Sequence, residues 1–137
     1  MDKYMKIAFK QAKKAYKNGD VPVGCVIVKD NKIIAQAHNQ KEKKHSAIMH
    51  AEIIAINKAC KKLKTWHLDD CILYSTLEPC MMCCGAIVQS RIKKIVFSLE
   101  NEKYGCHKLL KNIEIIKDVN SNESKKILNS FFINKRK

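Results

Sequence analysis

The chain has 137 residues, a mass of 15.7 kDa and 46% hydrophobic residues, which suits one domain with one core and leaves little for a second. Lysine and arginine outnumber aspartate and glutamate 27 to 13, and the formal charge of +14 favours a polyanionic partner through steering and counterion release. No apolar run approaches the roughly 18 residues of a membrane span, and Met1 to Lys6 lacks the apolar core of a signal peptide, so a soluble cytoplasmic protein is expected.

Met5, Phe9, Ala12 and Tyr16 recur at helical spacing and predict a first helix ending near Asn18 and Gly19. Val21 to Lys29 and Ile33 to Ala37 are β-branched runs separated by Asp30, Asn31 and Lys32, which predicts a hairpin closing just before Asn39. The pattern then alternates: a helix over Ala51 to Leu63, a strand over Ile72 to Thr76, a helix over Cys80 to Ser90 and a strand over Ile95 to Ser98. A fifth strand over Ile113 to Lys117 precedes a closing helix over Asn122 to Asn134, with Ile127, Leu128, Phe131 and Phe132 expected on its buried side. Strand–helix alternation after a hairpin predicts an α/β sandwich: parallel strands in a sheet that the hairpin makes mixed.

Chemistry concentrates in two fragments, His50-Ala51-Glu52 and, 27 residues beyond Glu52, Pro79-Cys80-Met81-Met82-Cys83. Zinc binds imidazole nitrogen and thiolate sulfur, and a catalytic site keeps three protein ligands so that the fourth position can hold water. His50, Cys80 and Cys83 are the expected ligands, with one Zn²⁺ per subunit as cofactor. Glu52 is the expected catalytic acid/base, because a carboxylate beside activated water can accept its proton and return it to a substrate. Cys84 would close the site as a fourth ligand, but adjacent helical residues diverge by about 100°, which favours the open site. His50 and Glu52 would diverge by about 200° in mid-helix and converge only over a helix end. Both fragments fall at predicted helix starts, where partial positive charge favours thiolates.

Seven cysteines in a chain without an export signal read as reduced thiols. Cys25, Cys60 and Cys71 read as small buried hydrophobes, and Cys106 beside His107 as a loop thiol.

The two fragments resemble the signature of the cytidine/nucleotide deaminase superfamily, H-x-E followed by P-C-x-x-C. Asp20 to Gly24, Asn39, Leu73 to Cys83 and Ser90-Arg91-Ile92 are most similar to the bacterial tRNA-specific adenosine deaminases, from about Tyr4 to Phe132. The resemblance implies a three-layer α/β/α sandwich around a five-stranded mixed sheet (the cytidine deaminase-like fold), a homodimer, and conversion of adenosine to inosine at the first anticodon position of a tRNA anticodon stem-loop.

Asn39 by itself reads as a turn residue, and the resemblance makes it a substrate contact. It also implies that the Ala51 N–H and the Glu78 carbonyl orient the base and leaving group. Val23 packs on the base or belongs to the core. Relatives usually carry Asp at the position of Asn101, and exchanging a carboxylate near a ribose 2′-OH for an amide would alter RNA-versus-DNA preference. Arg91, Lys93, Lys94, Phe132, Lys135 and Arg136 are expected RNA contacts. Deamination of a free guanine, cytosine or cytidine nucleotide is the alternative activity, and a non-catalytic, zinc-stabilised RNA-binding subunit is the reading from another class.

Overall fold

Alternation along one central strand decides the layering. In β1 (Gly24–Lys29), Cys25 and Ile27 enter one apolar cluster while Val26 and Val28 enter another, as expected of a strand buried on both faces. The computed structural model describes residues 1–135. The first cluster lies under α3 (Ala51–Leu63) and α4 (Met81–Gln89), through Ala55, Ala59 and Ile87. The second lies under α1 (Lys3–Lys17), through Met5, Ala8 and Phe9, and α5 (Ser121–Lys135) packs on the same side against β3 and β4.

The sheet order is β2-β1-β3-β4-β5. Strands β1 and β2 (Lys32–His38) form the expected hairpin, whose turn places Asp30 and Asn31 at φ of 51° and 61°. Positive φ at both central residues matches the twist of the flanking strands, and Asp and Asn tolerate it well. Strand β1 also pairs antiparallel with β3 (Cys71–Leu77), while β3, β4 (Lys94–Leu99) and β5 (Glu114–Ile116) are parallel. The expected mixed sheet with helices on both faces is therefore present.

Beyond one-residue shifts at element ends, several features differ from expectation. The segment from Val21 to Val23 precedes the strand rather than joining it, because Pro22 offers no N–H to a ladder. A four-residue helix, α2 (Lys41–Lys44), was not predicted; Asp20, buried, caps it by accepting the Glu42 N–H at 2.8 Å. On α5, Leu128 and Phe131 are buried as expected, but Phe132 is 44% exposed. It lies about 100° around the helix from Phe131 and points away from the core.

Close contact between α1 and β1 depends on Gly24. A Cβ there would sit 1.8 Å from the Ala8 carbonyl oxygen. The Gly24 N–H donates to Thr76 Oγ1 at 3.0 Å, and Ser124 Oγ donates to the Thr76 carbonyl at 2.6 Å. Thr76 thus ties β1, β3 and α5 together beside the carboxyl ends of the parallel strands.

Candidate active site

His50 is the N-cap of α3, in extended conformation (φ −79°, ψ 150°), so its ring leaves the helix axis and Glu52 follows one position inside the first turn. Cys80 caps α4 in the same way, and Cys83 lies in that helix's first turn. The two helix starts converge: His50 Nδ1 is 3.6 Å from Cys80 Sγ and 3.5 Å from Cys83 Sγ. All three ligand atoms lie within 4.8 Å of one another, a spacing that one metal ion can bridge. Cys84 takes no part. Its Sγ–H points to the Pro79 carbonyl at 3.6 Å, and burial pushes its thiol up to about 12.

Electrostatics separate the roles. Burial, with Lys41 nearby, lowers the His50 pKa and keeps the ring neutral, leaving a lone pair for a metal. Burial raises Glu52 to about 7, while its hydrogen bond with Cys83 acts in the opposite direction. Cys83 is raised strongly, first by burial and then by Glu52. Burial thus opposes the partial positive charge of the helix start, which by itself favours the thiolate.

The cluster opens into a cavity of about 1080 Å³. Its floor includes the buried Val23, Asn39 and Glu52, and Val23 also belongs to the core cluster under α3. Asn39 is anchored at both ends of its amide: Nδ2 donates to the Val21 carbonyl at 3.1 Å, and Oδ1 accepts the Ala51 N–H at 2.8 Å. The Ala51 N–H is thereby engaged within the protein rather than free for a base. An amide carries two hydrogens and two lone pairs, so one of each on Asn39 remains for a ligand.

Glu78 has a side-chain role that sequence reading missed. Its buried carboxylate accepts the Asn101 N–H and the His107 N–H, each at 3.0 Å, and lies 2.6 Å from His107 Nδ1. Asn101 lines the cavity, and its Oδ1 accepts the Tyr104 N–H at 3.1 Å.

Phe132 lines the cavity, joined by Lys41, Lys103, Tyr104 and Lys125, none of which was anticipated. Their positions depend on loop and helix placement rather than on any local motif. Lys135 sits at the end of α5, its Nζ 5.3 Å from the Phe131 ring, and does not line the cavity. Arg136 lies outside the described residues. Arg91, Lys93 and Lys94 are not brought to the site. Lys94 begins β4 and Leu99, which lines the cavity, ends it, a separation of roughly 17 Å along a strand. Arg91 instead packs over Trp66, 5.0 Å from the ring centroid.

A deaminase is the class of protein that this sheet and this cluster define. The chain belongs to the MafB19-like deaminase family, whose profile matches residues 1–136. It is 44% identical to the tRNA-specific adenosine deaminase of Bacillus subtilis (strain 168), over 98% of this chain and 89% of that one. Among solved structures, a tRNA:A34 deaminase studied for A-to-I editing at the wobble position superimposes with a TM-score of 0.85 at 30% identity, covering 91% of this chain and 98% of that one. The guanine deaminase of Bacillus subtilis gives a TM-score of 0.69 at 42% identity, covering 74% of this chain and 67% of that one.

Proposed function

We propose that this protein hydrolyses adenosine to inosine at the wobble position of a tRNA anticodon loop. The observation that carries this reading is the junction of His50, Cys80 and Cys83 with the buried Glu52 on the floor of one cavity. Its tRNA-specific relatives support the substrate. The neutral imidazole and two thiols form a donor set suited to zinc, and a bound Zn²⁺ supplies a water that ionises near neutral pH. Metal binding would also draw the proton from Cys83 that burial otherwise retains.

Glu52, raised to about 7, can both accept and release a proton near neutrality. It takes a proton from the attacking water, delivers it to adenine N1 as C6 is attacked, and then helps protonate the departing ammonia. Water is consumed, and inosine and ammonia are produced. Val23 packs on the base, and Asn39 offers its remaining amide hydrogen and lone pair to the purine edge. An unpaired loop suits the pocket, because its bases can splay out of the stack. Glu52→Ala should lower kcat by about 10²–10⁴-fold with zinc content retained; undiminished turnover would refute the assigned role.

The guanine deaminase similarity favours free-base deamination as the second reading. Rapid turnover of free guanine, with none of an anticodon stem-loop, would select it. Inosine read by sequencing after incubation with total tRNA would select the first.

We further propose a homodimer joined through α4, whose exposed Met81 and Val88 leave an uncharged apolar face. Val88→Glu should shift the sedimentation coefficient to that of a monomer. All seven thiols are free, which suits work in the reducing cytoplasm. Among the described residues, no helix is long and apolar enough to cross a membrane.

A further inference from the structure

The loop from Asn101 to His107 forms an outer wall of the cavity, and its backbone is tied down along its length. The Glu78 carboxylate holds both ends, through the Asn101 and His107 amides and the His107 ring. Between them, the Tyr104 N–H donates to Asn101 Oδ1, the Gly105 N–H donates to the Asn101 carbonyl at 2.8 Å, and Gly105 bridges Cys80. A Cβ at Gly105 would approach the Glu78 carboxylate to 2.3 Å and displace the group that holds both ends of the loop.

On this backbone, Tyr104 lines the cavity as a residue 60% exposed. Lys103 Nζ lies 5.3 Å from its ring centroid. An exposed ring gains little from burial within its own fold, and a fixed backbone reduces the ordering cost of meeting a ligand. The contrast with the buried floor is informative. Val23, Asn39 and Glu52 are buried on the floor, where the base would react, whereas the exposed Tyr104 would meet whatever of the substrate remains outside. In an RNA loop that neighbour is the next nucleotide.

We propose that Tyr104 is a stacking surface for the unpaired nucleotide adjoining the edited adenosine, with Glu78 and His107 as positioning residues that hold it there. This inference rests on the RNA reading above. Base–aromatic stacking tolerates any base, because each has a π face, and the Lys103 ammonium suits the adjoining phosphate.

The test is steady-state deamination of an anticodon stem-loop and of two versions carrying an abasic site on either side of the target adenosine. Tyr104→Ala should raise KM about tenfold, equivalent to about 1.4 kcal/mol and within the range for one stacked base, while kcat changes less than about twofold. Tyr104→Phe should behave as the wild type. His107→Ala, with zinc content and sedimentation unchanged, should share the KM increase. One of the two abasic RNAs should abolish the difference between wild type and Tyr104→Ala.

An unchanged KM in Tyr104→Ala, or the same loss on both abasic RNAs, would overturn the proposal. A changed sedimentation coefficient in Tyr104→Ala would assign the ring to a protein contact instead. His107→Ala with wild-type KM would remove the positioning role. Wild-type turnover of free base without any RNA turnover would refute the RNA reading and this inference together, whereas RNA turnover indifferent to Tyr104 refutes the inference alone.

Discussion

Cys83 Sγ lies 3.5 Å from His50 Nδ1, while the adjacent Cys84 hydrogen-bonds to the Pro79 carbonyl. One helical step separates a candidate metal ligand from a buried structural thiol. Cys83→Ala should lose most bound zinc and activity, whereas Cys84→Ala should retain both and lower stability by roughly 1 kcal/mol through a small cavity. Zinc per subunit and chemical denaturation measure the two effects. Equal zinc loss in both variants would contradict the open three-ligand site. The residue types and their helix-start positions were legible in sequence, since H-x-E and C-x-x-C name their own chemistry. The pairing of Glu78 with His107 was not, because it joins residues 29 apart through a loop without regular periodicity.

At the scale of elements, α1 lies on β1 as closely as it does because position 24 has no side chain. Gly24→Ala should destabilise the fold by about 1–3 kcal/mol, since the Ala8 carbonyl belongs to helix backbone and cannot turn aside. Strand β2 supplies a pH-dependent feature. His38 Nδ1 meets Gln11 Oε1 at 2.9 Å, and its buried Nε2 has no partner among the described residues. Burial first, and then Lys14, Lys43 and Lys58, lower its pKa below the ordinary value. The unfolded chain therefore binds a proton at a higher pH than the folded ring does. The stability this contributes is complete above about pH 6.5 and is lost as pH falls through the lower folded value. His38→Gln should show a shallower loss of melting temperature between about pH 7.5 and 5; parallel curves would exclude His38 as the cause. Hydrophobic periodicity revealed nearly all these elements. It missed α2, whose four polar residues have no apolar stripe and depend on capping by Asp20 from another part of the chain.

Over the whole molecule, the charge of +14 predicts strongly salt-dependent RNA binding. With about four phosphates contacted, affinity should fall with a log–log slope near −3 as salt rises, and a slope near zero would rule out an electrostatic interface. Placement matters as much as total charge. Lys125→Glu at the cavity should weaken stem-loop binding more than Lys93→Glu at the other end of β4, measured at matched ionic strength. Equal losses would spread the interface over both ends.

The sequence by itself determined which residues carry candidate ligand and acid/base chemistry, and the strand–helix order, because side-chain identity and periodicity are local properties. Tertiary structure alone decided which ends of those elements meet. It placed Asn39 against Ala51, brought Tyr104 and Lys125 to the cavity, turned Phe132 out of the core and left Arg91 against Trp66. The physical reason is that periodicity identifies the face an element buries, whereas meetings between element ends depend on the packing of the whole sheet and its helices.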